Sequence, residues 1–178
     1  GLKRLFHWKG SLPGSAWEST AQALIQNDQT RFECLLALAP HELPPSSQAA
    51  LLWRGMLEES SNQRWIEFAA LNAATRAMGP LMEGALKDGG GSLQGLQDPG
   101  ALFFVLGAQG DRTSVGKVAS TLFTMSPSSE TWVWLLRLNE GMTQAGIAWE
   151  DVMLPELKTQ RWHQLQRRLA RLEGESYR

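Results

Sequence analysis

The sequence predicts an all-α protein, and three observations support this prediction. Leu and Ala dominate the apolar residues, whereas Val and Ile are scarce and Tyr occurs once. Unbranched side chains favour helices, and β-branched and aromatic side chains favour strands. Apolar residues recur at helical spacing between polar caps, Gly and Pro. More specifically, we expect a right-handed superhelix of about four to five stacked antiparallel helix pairs.

Five helices are predicted in the first half of the chain. Pro44-Pro45 breaks the pattern, and the Gly79-Pro80 pair is interpreted as a stop. The predicted helices are residues 15–27, about 30–39, 46–59, 64–78 and 80–87. We interpret residues 1–14 as an N-terminal extension and residues 15–178 as a single domain. Within it, the Gly-rich residues 88–97 predict a flexible loop.

The second half continues with four helices. Asp98-Pro99 supplies a cap and a first-turn proline for a helix that reaches Gly110. A second helix spans 113–125, and a third runs from Ser129 or Glu130 to Gly146. The last helix begins at Pro155 after a turn near Trp149. Its apolar stripe of Trp162, Leu165, Leu169 and Leu172 is expected to pack on the helix that carries Trp132 and Trp134.

Two segments of the chain repeat one phrase. DQTRFECLLALAP begins at Asp28 and SNQRWIEFAALNAA at Ser61, so that Arg31 aligns with Arg64. The second helices of successive pairs start near Arg31, Arg64, Leu102 and Trp132, at spacings of about 33, 38 and 30 residues, which is typical of stacked helical repeats. This alignment predicts that the first two second helices are adjacent and roughly parallel. It also predicts equivalent core places for Phe32/Leu35 and Trp65/Phe68.

At these residues the chain resembles the HEAT-like repeat family, whose second helices carry a polar turn, an Arg and an Ala/Leu tract. The order of four segments is similar to that in a region of large secreted bacterial dehydrogenase-like proteins. These segments are DQTRFECLLALAP, QRWIEFAALNAA, ALFFVLGAQGD and WLLRLNEGMTQAG. In that family the resemblance implies a solenoid joined to a sugar-dehydrogenase-type propeller and a c-type haem domain. It also implies a periplasmic or secreted location.

Bulk composition excludes several classes of site. The net charge of −1 favours neither nucleic acid nor an anionic membrane as a partner. Cys34 is the only cysteine, so a cysteine metal cluster, an internal disulfide and a Cys-x-x-Cys-His haem motif are excluded. No apolar run reaches the roughly 18 residues of a membrane span. The first residues lack the apolar stretch of a signal peptide. Because the chain starts without Met, we interpret it as a domain excised from a larger protein.

Few motifs point to chemistry. GDRTSVGKVAS from Gly110 has one residue too many for a phosphate loop, so we expect an interhelical turn capped by Thr113 or Ser114. The three histidines are far apart, and Cys34 is expected to be a small buried hydrophobe. Neighbouring carboxylates such as Glu58-Glu59 diverge on a helix and do not form a dyad. We therefore expect no catalytic residue, no metal and no cofactor.

The candidate interaction surface comprises Trp134 and the C-terminal arginines Arg161, Arg167, Arg168 and Arg171. Tryptophans are common at binding hot spots, although repeat helices also use them to fill gaps between layers. Trp132 and Trp134 diverge on a helix, so one should contact a neighbouring helix and the other face the surface. The arginines either meet an acidic partner or the next repeat, or only keep the end of the stack soluble.

These observations lead to two function hypotheses from different classes. The first is a non-catalytic scaffold or protein-interaction module within a larger protein, with a protein as its partner. The second is an accessory domain of a secreted oxidoreductase whose active site lies outside these residues. A nucleic-acid-binding helical repeat is a third hypothesis, which rests only on the C-terminal arginines and is opposed by the overall charge.

Overall fold

The computed structural model of the protein describes residues 14–38, 45–57, 63–74, 77–87, 89–126, 128–152 and positions 163, 164 and 167. These residues form α-helices and 3-10 helices and no strand, which confirms the all-α class. The α-helices are α1 Gly14–Gln26, α2 Asp28–Leu38, α3 Pro45–Leu57, α4 Gln63–Ala73, α5 Met78–Ala85, α6 Pro99–Gln109, α7 Arg112–Thr124 and α8 Ser129–Gln144. Within this part of the chain, the helices are too short or too polar to cross a membrane.

The Gly79-Pro80 pair begins a helix instead of ending one. α4 ends at Ala73, and α5 starts at Met78. A proline is tolerated in the first turn of a helix, because the amide that it lacks has no intrahelical acceptor there. The predicted helix over 64–78 is therefore wrong at its C-terminal end.

The Gly-rich segment contains regular structure. Gly89 and Gly90 have φ angles of 71° and 83°, which side chains rarely allow. A 3-10 helix then spans Gly91–Gly95 and buries Leu93. A second 3-10 helix spans Trp149–Asp151.

The chain divides into two compact units. Unit 1 comprises Gly1–Ala85 and Gly91–Gln97, and unit 2 comprises Leu86–Gly90 and Asp98–Arg178. The predicted last helix falls almost entirely outside the described residues, so its packing on α8 stays a prediction. His163, Gln164 and Arg167 are helical.

Unit 1 is built from two helical hairpins and one further helix. α1 and α2 are antiparallel, because Thr30 and Cys34 of α2 bond to the carbonyls of Leu24 and Ala21 of α1 in reverse order. α3 and α4 form the second hairpin. α1, α3 and α5 pack in succession, and α2 packs on α4. The adjacency predicted for the second helices α2 and α4 is confirmed.

One side-chain amide joins the two hairpins. Gln48 of α3 is buried, and its Nε2 atom donates to the carbonyl oxygens of Leu38 and Ala73, both at 3.2 Å. These residues are the last of α2 and α4, where helices leave carbonyls without intrahelical donors. The amide therefore caps two helices at once. It also shows that α2 and α4 end side by side and run in the same direction.

Unit 2 is centred on a close approach of two parallel helices, α6 and α8. A Cβ atom at Gly107 would lie 2.5 Å from the carbonyl oxygen of Leu138, and one at Gly141 would meet the carbonyl oxygen of Phe104. Only glycine fits at this crossing. α7 follows α6 after Gly110, which adopts a left-handed conformation (φ 77°) and bonds its amide to the carbonyl of Gly107 at 3.1 Å.

Candidate protein-interaction surface

The largest exposed apolar side chains of unit 1 include two aromatic residues on α4. Trp65 is 60% exposed and Phe68 is 52% exposed. Their rings form an edge-to-face pair with centroids 6.1 Å apart and an interplanar angle of 84°. Leu36, on the adjacent helix α2, is 40% exposed. We name Trp65 and Phe68 the aromatic patch.

The patch is exposed because equivalent positions of α2 and α4 are 35 residues apart in the sequence. The sequence alignment predicts a separation of 33 residues. Asp28 and Gln63 begin these helices, and each helix has 11 residues. At this offset the buried residues coincide, namely Arg31, Cys34, Leu35 and Leu38 on α2 with Ile66, Ala69, Ala70 and Ala73 on α4. A shift of two residues turns a helix by about 200°. The core places predicted for Trp65 and Phe68 are therefore wrong.

A pattern within α4 could have revealed this register. Ile66, Ala69, Ala70 and Ala73 follow the spacing of one complete helical stripe without any aromatic residue. The sequence interpretation missed it because it aligned Arg31 with Arg64. Arg31 is buried and donates from Nε to the carbonyl of Ile25 at 2.7 Å, whereas Arg64 is exposed. The two arginines are not equivalent.

Hydrogen bonds hold the helix that carries the patch. Glu67 is buried, and its carboxylate accepts from the Nε2 atom of Gln63 at 3.1 Å and from the backbone amide of Gln97 at 2.9 Å. Gln63 Nε2 also donates to the carbonyl of Met56 at 2.7 Å. On the exposed face, the Asn72 amide donates to the carbonyl of Phe68 at 2.8 Å. The bonds of Gln63 to Met56 and of Gln97 to Glu67 thus tie the helix that carries the aromatic pair to two other segments of unit 1.

The helices α2 and α4 each carry an exposed charged residue, Glu33 and Arg64. Glu33 lies on α2, one turn before Leu36, and Arg64 directly precedes Trp65. Both are exposed, and neither forms an ion pair or hydrogen bond with another described residue. They are available to a partner that presents both signs of charge.

The structure describes two of the surface residues predicted from the sequence, Trp134 and Arg167. Trp134 is only 5% exposed, and its ring stacks on Phe103 at a centroid distance of 5.2 Å and an angle of 15°. It therefore lies in the core of unit 2, while Trp132 is half-buried. Arg167 is exposed and donates from Nε to the carbonyl of His163 at 3.3 Å. Arg161, Arg168 and Arg171 lie outside the described residues.

The segment from Gly110 to Lys117 contains the predicted interhelical turn, at Gly110 and Asp111, and the first residues of α7, but the cap differs from the predicted one. Asp111 caps α7 by accepting from the Thr113 amide at 3.1 Å. The Ser114 hydroxyl donates to its other oxygen at 2.5 Å, and this bond is the main reason that the pKa of Asp111 is lowered. A carboxylate at the N-cap is also favoured by the helix dipole. Thr113 and Ser114 are donors to the cap and not the cap itself.

Cys34 is buried, as expected. Burial raises the pKa of its thiol from 9.0 to about 11, which keeps it protonated near neutral pH. Among the residues that the structure describes, no group of three or more His, Cys, Asp or Glu side chains could hold a metal ion.

Comparisons of the chain with protein-family models, with curated proteins and with solved structures find no match. The aromatic patch is therefore assigned from its own geometry.

Proposed function

We propose that the protein is a HEAT-like helical repeat that acts as a non-catalytic protein-interaction module and binds a partner protein through the aromatic patch. The succession of α1, α3 and α5 beside the pair α2 and α4 supports a stacked-repeat architecture. The observation that carries the function is the exposed edge-to-face pair of Trp65 and Phe68 on α4.

The size of the patch is suited to an interface anchor. Full burial of a large aromatic side chain removes roughly 150–250 Å² from water. Burial of about half of that area, at about 25 cal/mol per Å², contributes about 2–3 kcal/mol for each ring. Tryptophan is also enriched among residues that dominate binding energy. The partner surface has an apolar centre and an anion that can pair with the exposed Arg64, which directly precedes Trp65.

Site-specific photocrosslinking tests the proposal. A photoreactive phenylalanine analogue replaces Phe68 in one protein and Val133 in a second. Val133 is the matched control, since it is apolar and 50% exposed but lies on α8 in unit 2. A protein that crosslinks at position 68 and not at 133 is identified, purified and titrated against the unmodified chain.

The titration decides whether the patch carries the affinity. We expect Phe68→Ser to weaken binding by about 30-fold, the equivalent of about 2 kcal/mol, while Val133→Ser leaves it unchanged. Equal affinities of the two variants, or equal crosslinking at both positions, would reject the patch as the docking site.

A narrower proposal concerns the parent protein. The order of the four repeat phrases supports a place beside the catalytic domains of a secreted oxidoreductase. The coding sequence on either side of these residues tests this. A Cys-x-x-Cys-His motif or propeller repeats there support it, and flanks without either argue against it.

A further inference from the structure

We infer that the partner that docks on the aromatic patch is a second copy of this chain, in a two-fold symmetric dimer. This rests on the proposed function, because it names the partner of that same surface. In a two-fold interface one surface meets itself, so that every contact between two different residues is made twice. The surface that carries the patch must therefore present both members of each pair.

A carboxylate lies beside Phe68 on the neighbouring helix. α2 and α4 run in the same direction and end side by side, and their equivalent positions are 35 residues apart. Glu33 therefore occupies on α2 the place that Phe68 occupies on α4, about 8–10 Å to its side. Both residues are exposed. The chain itself thus presents an anion that can pair with the exposed Arg64 of another copy.

The spacing of these residues suits a two-fold axis. Arg64 lies one turn before Phe68 on α4, about 6 Å along the helix. Arg64 and Glu33 are therefore separated diagonally, by about 11 Å between their Cα atoms. An axis halfway between them, perpendicular to this surface, sets Arg64 of each copy opposite Glu33 of the other. The same axis passes about 5 Å from the Cα atom of Phe68, so the aromatic rings of both copies meet around it.

The energetics favour a weak dimer. Each copy contributes the exposed parts of two aromatic rings, and ring–ring contacts add to the effect of their burial. The two ion pairs lie at the rim, where charges set orientation more than affinity. The net charge of −1 leaves little repulsion between copies. Two rings from each copy suit an interface near the lower size limit of about 1,000 Å², so we expect a Kd on the order of 100 μM.

Sedimentation equilibrium of the unmodified chain tests the dimer, at concentrations on either side of the expected Kd. We expect Phe68→Ser to raise the dissociation constant by at least about 30-fold, because both copies lose a ring. Val133→Ser is the matched control, since this apolar residue of α8 is exposed to a similar extent. It should leave the dissociation constant unchanged.

Charge reversal tests the two-fold pairing. Glu33→Arg or Arg64→Glu sets like charges opposite each other twice, so each change should weaken the dimer by at least about 10-fold. The double variant exchanges the two charges and should regain the affinity of the unmodified chain. A mixture of the two single variants should form a heterodimer, because one copy then carries only cations at these positions and the other only anions. Both positions are exposed, so the fold should tolerate these changes.

Three outcomes would overturn the inference. One is a monomer at every concentration, and another is a dimer that Phe68→Ser leaves unchanged. The third is a dimer that the single reversals do not weaken, or that neither the mixture nor the double variant restores, since the copies would then meet in a different arrangement.

The photocrosslinking experiment separates this failure from that of the proposed function. If the chain is a monomer and position 68 captures a different protein, the dimer is rejected and the proposed function stands. Equal crosslinking at positions 68 and 133 rejects the proposed function itself.

Discussion

The parallel helices of unit 1 and those of unit 2 are held in different ways. α2 and α4 contain no glycine, and a shared amide from Gln48 caps both. α6 and α8 cross at Gly107 and Gly141, where their backbones meet. The spacing in unit 1 therefore depends on side-chain volume, and the spacing in unit 2 depends on the absence of side chains. Side-chain packing can adjust to small changes in volume, but a contact between backbones cannot.

The largest effect is expected at the glycine crossing. Gly141→Ala should destabilise unit 2 by about 3 kcal/mol or more, because its Cβ would overlap the carbonyl of Phe104 and neither backbone can give way. Urea unfolding measures this destabilisation. Hydrogen exchange at the amides of residues 99–109 shows whether it is localised at the crossing.

Gly84→Ala is the matched control. Gly84 is exposed on α5, and no neighbouring atom lies within 4 Å of the point that an added Cβ would occupy. The same substitution should there stabilise the protein by about 0.5–1 kcal/mol, because alanine is the better helix former. Equal effects of the two changes would show that the crossing in unit 2 is no tighter than an open helix surface.

An intermediate change in stability is expected for substitutions that distinguish the two alignments of α2 with α4, at separations of 35 and 33 residues. Ile66 is buried at the place equivalent to Arg31, so Ile66→Ala should cost about 2–5 kcal/mol. Trp65→Ala removes an exposed ring and should cost less than about 1 kcal/mol. Urea unfolding of both variants measures the difference. A greater loss of unfolding free energy for Trp65→Ala than for Ile66→Ala would support the alignment at a separation of 33 residues.

A smaller destabilisation than at Gly141 or Ile66 is expected at the shared cap. Gln48→Met removes both hydrogen bonds and should destabilise unit 1 by about 1–2 kcal/mol. The loss is moderated because Gln48 Oε1, which has no partner among the described residues, is removed as well. Hydrogen exchange should increase at the C-terminal turns of both α2 and α4. An increase in only one of them would show that the amide does not join the hairpins.

Hydrogen bonds between residues close in the sequence could be predicted. The face of each helix that packs against its neighbour could not. The cap at Asp98 is predictable because its partner, the Ala101 amide at 3.2 Å, lies three residues away. The position of Trp65 depends on which face of α4 meets α2, and similarity between two segments does not determine that. The close approach at Gly141 likewise depends on Phe104, which is distant in sequence. The aromatic patch could not be predicted for the same reason, because the exposure of a side chain depends on the tertiary structure.

The uneven burial of the tryptophans has an optical consequence. Trp134 stacks on Phe103, and Trp149 meets the edge of Phe123 and donates from Nε1 to Asn139 Oδ1 at 2.7 Å. Indoles held in such asymmetric surroundings give near-ultraviolet circular dichroism and blue-shifted emission. Trp65, with most of its ring in water, emits at longer wavelength and meets dissolved quenchers freely. Trp134 and Trp149 thus report on the packing of unit 2, and Trp65 reports on occupancy of the surface of unit 1.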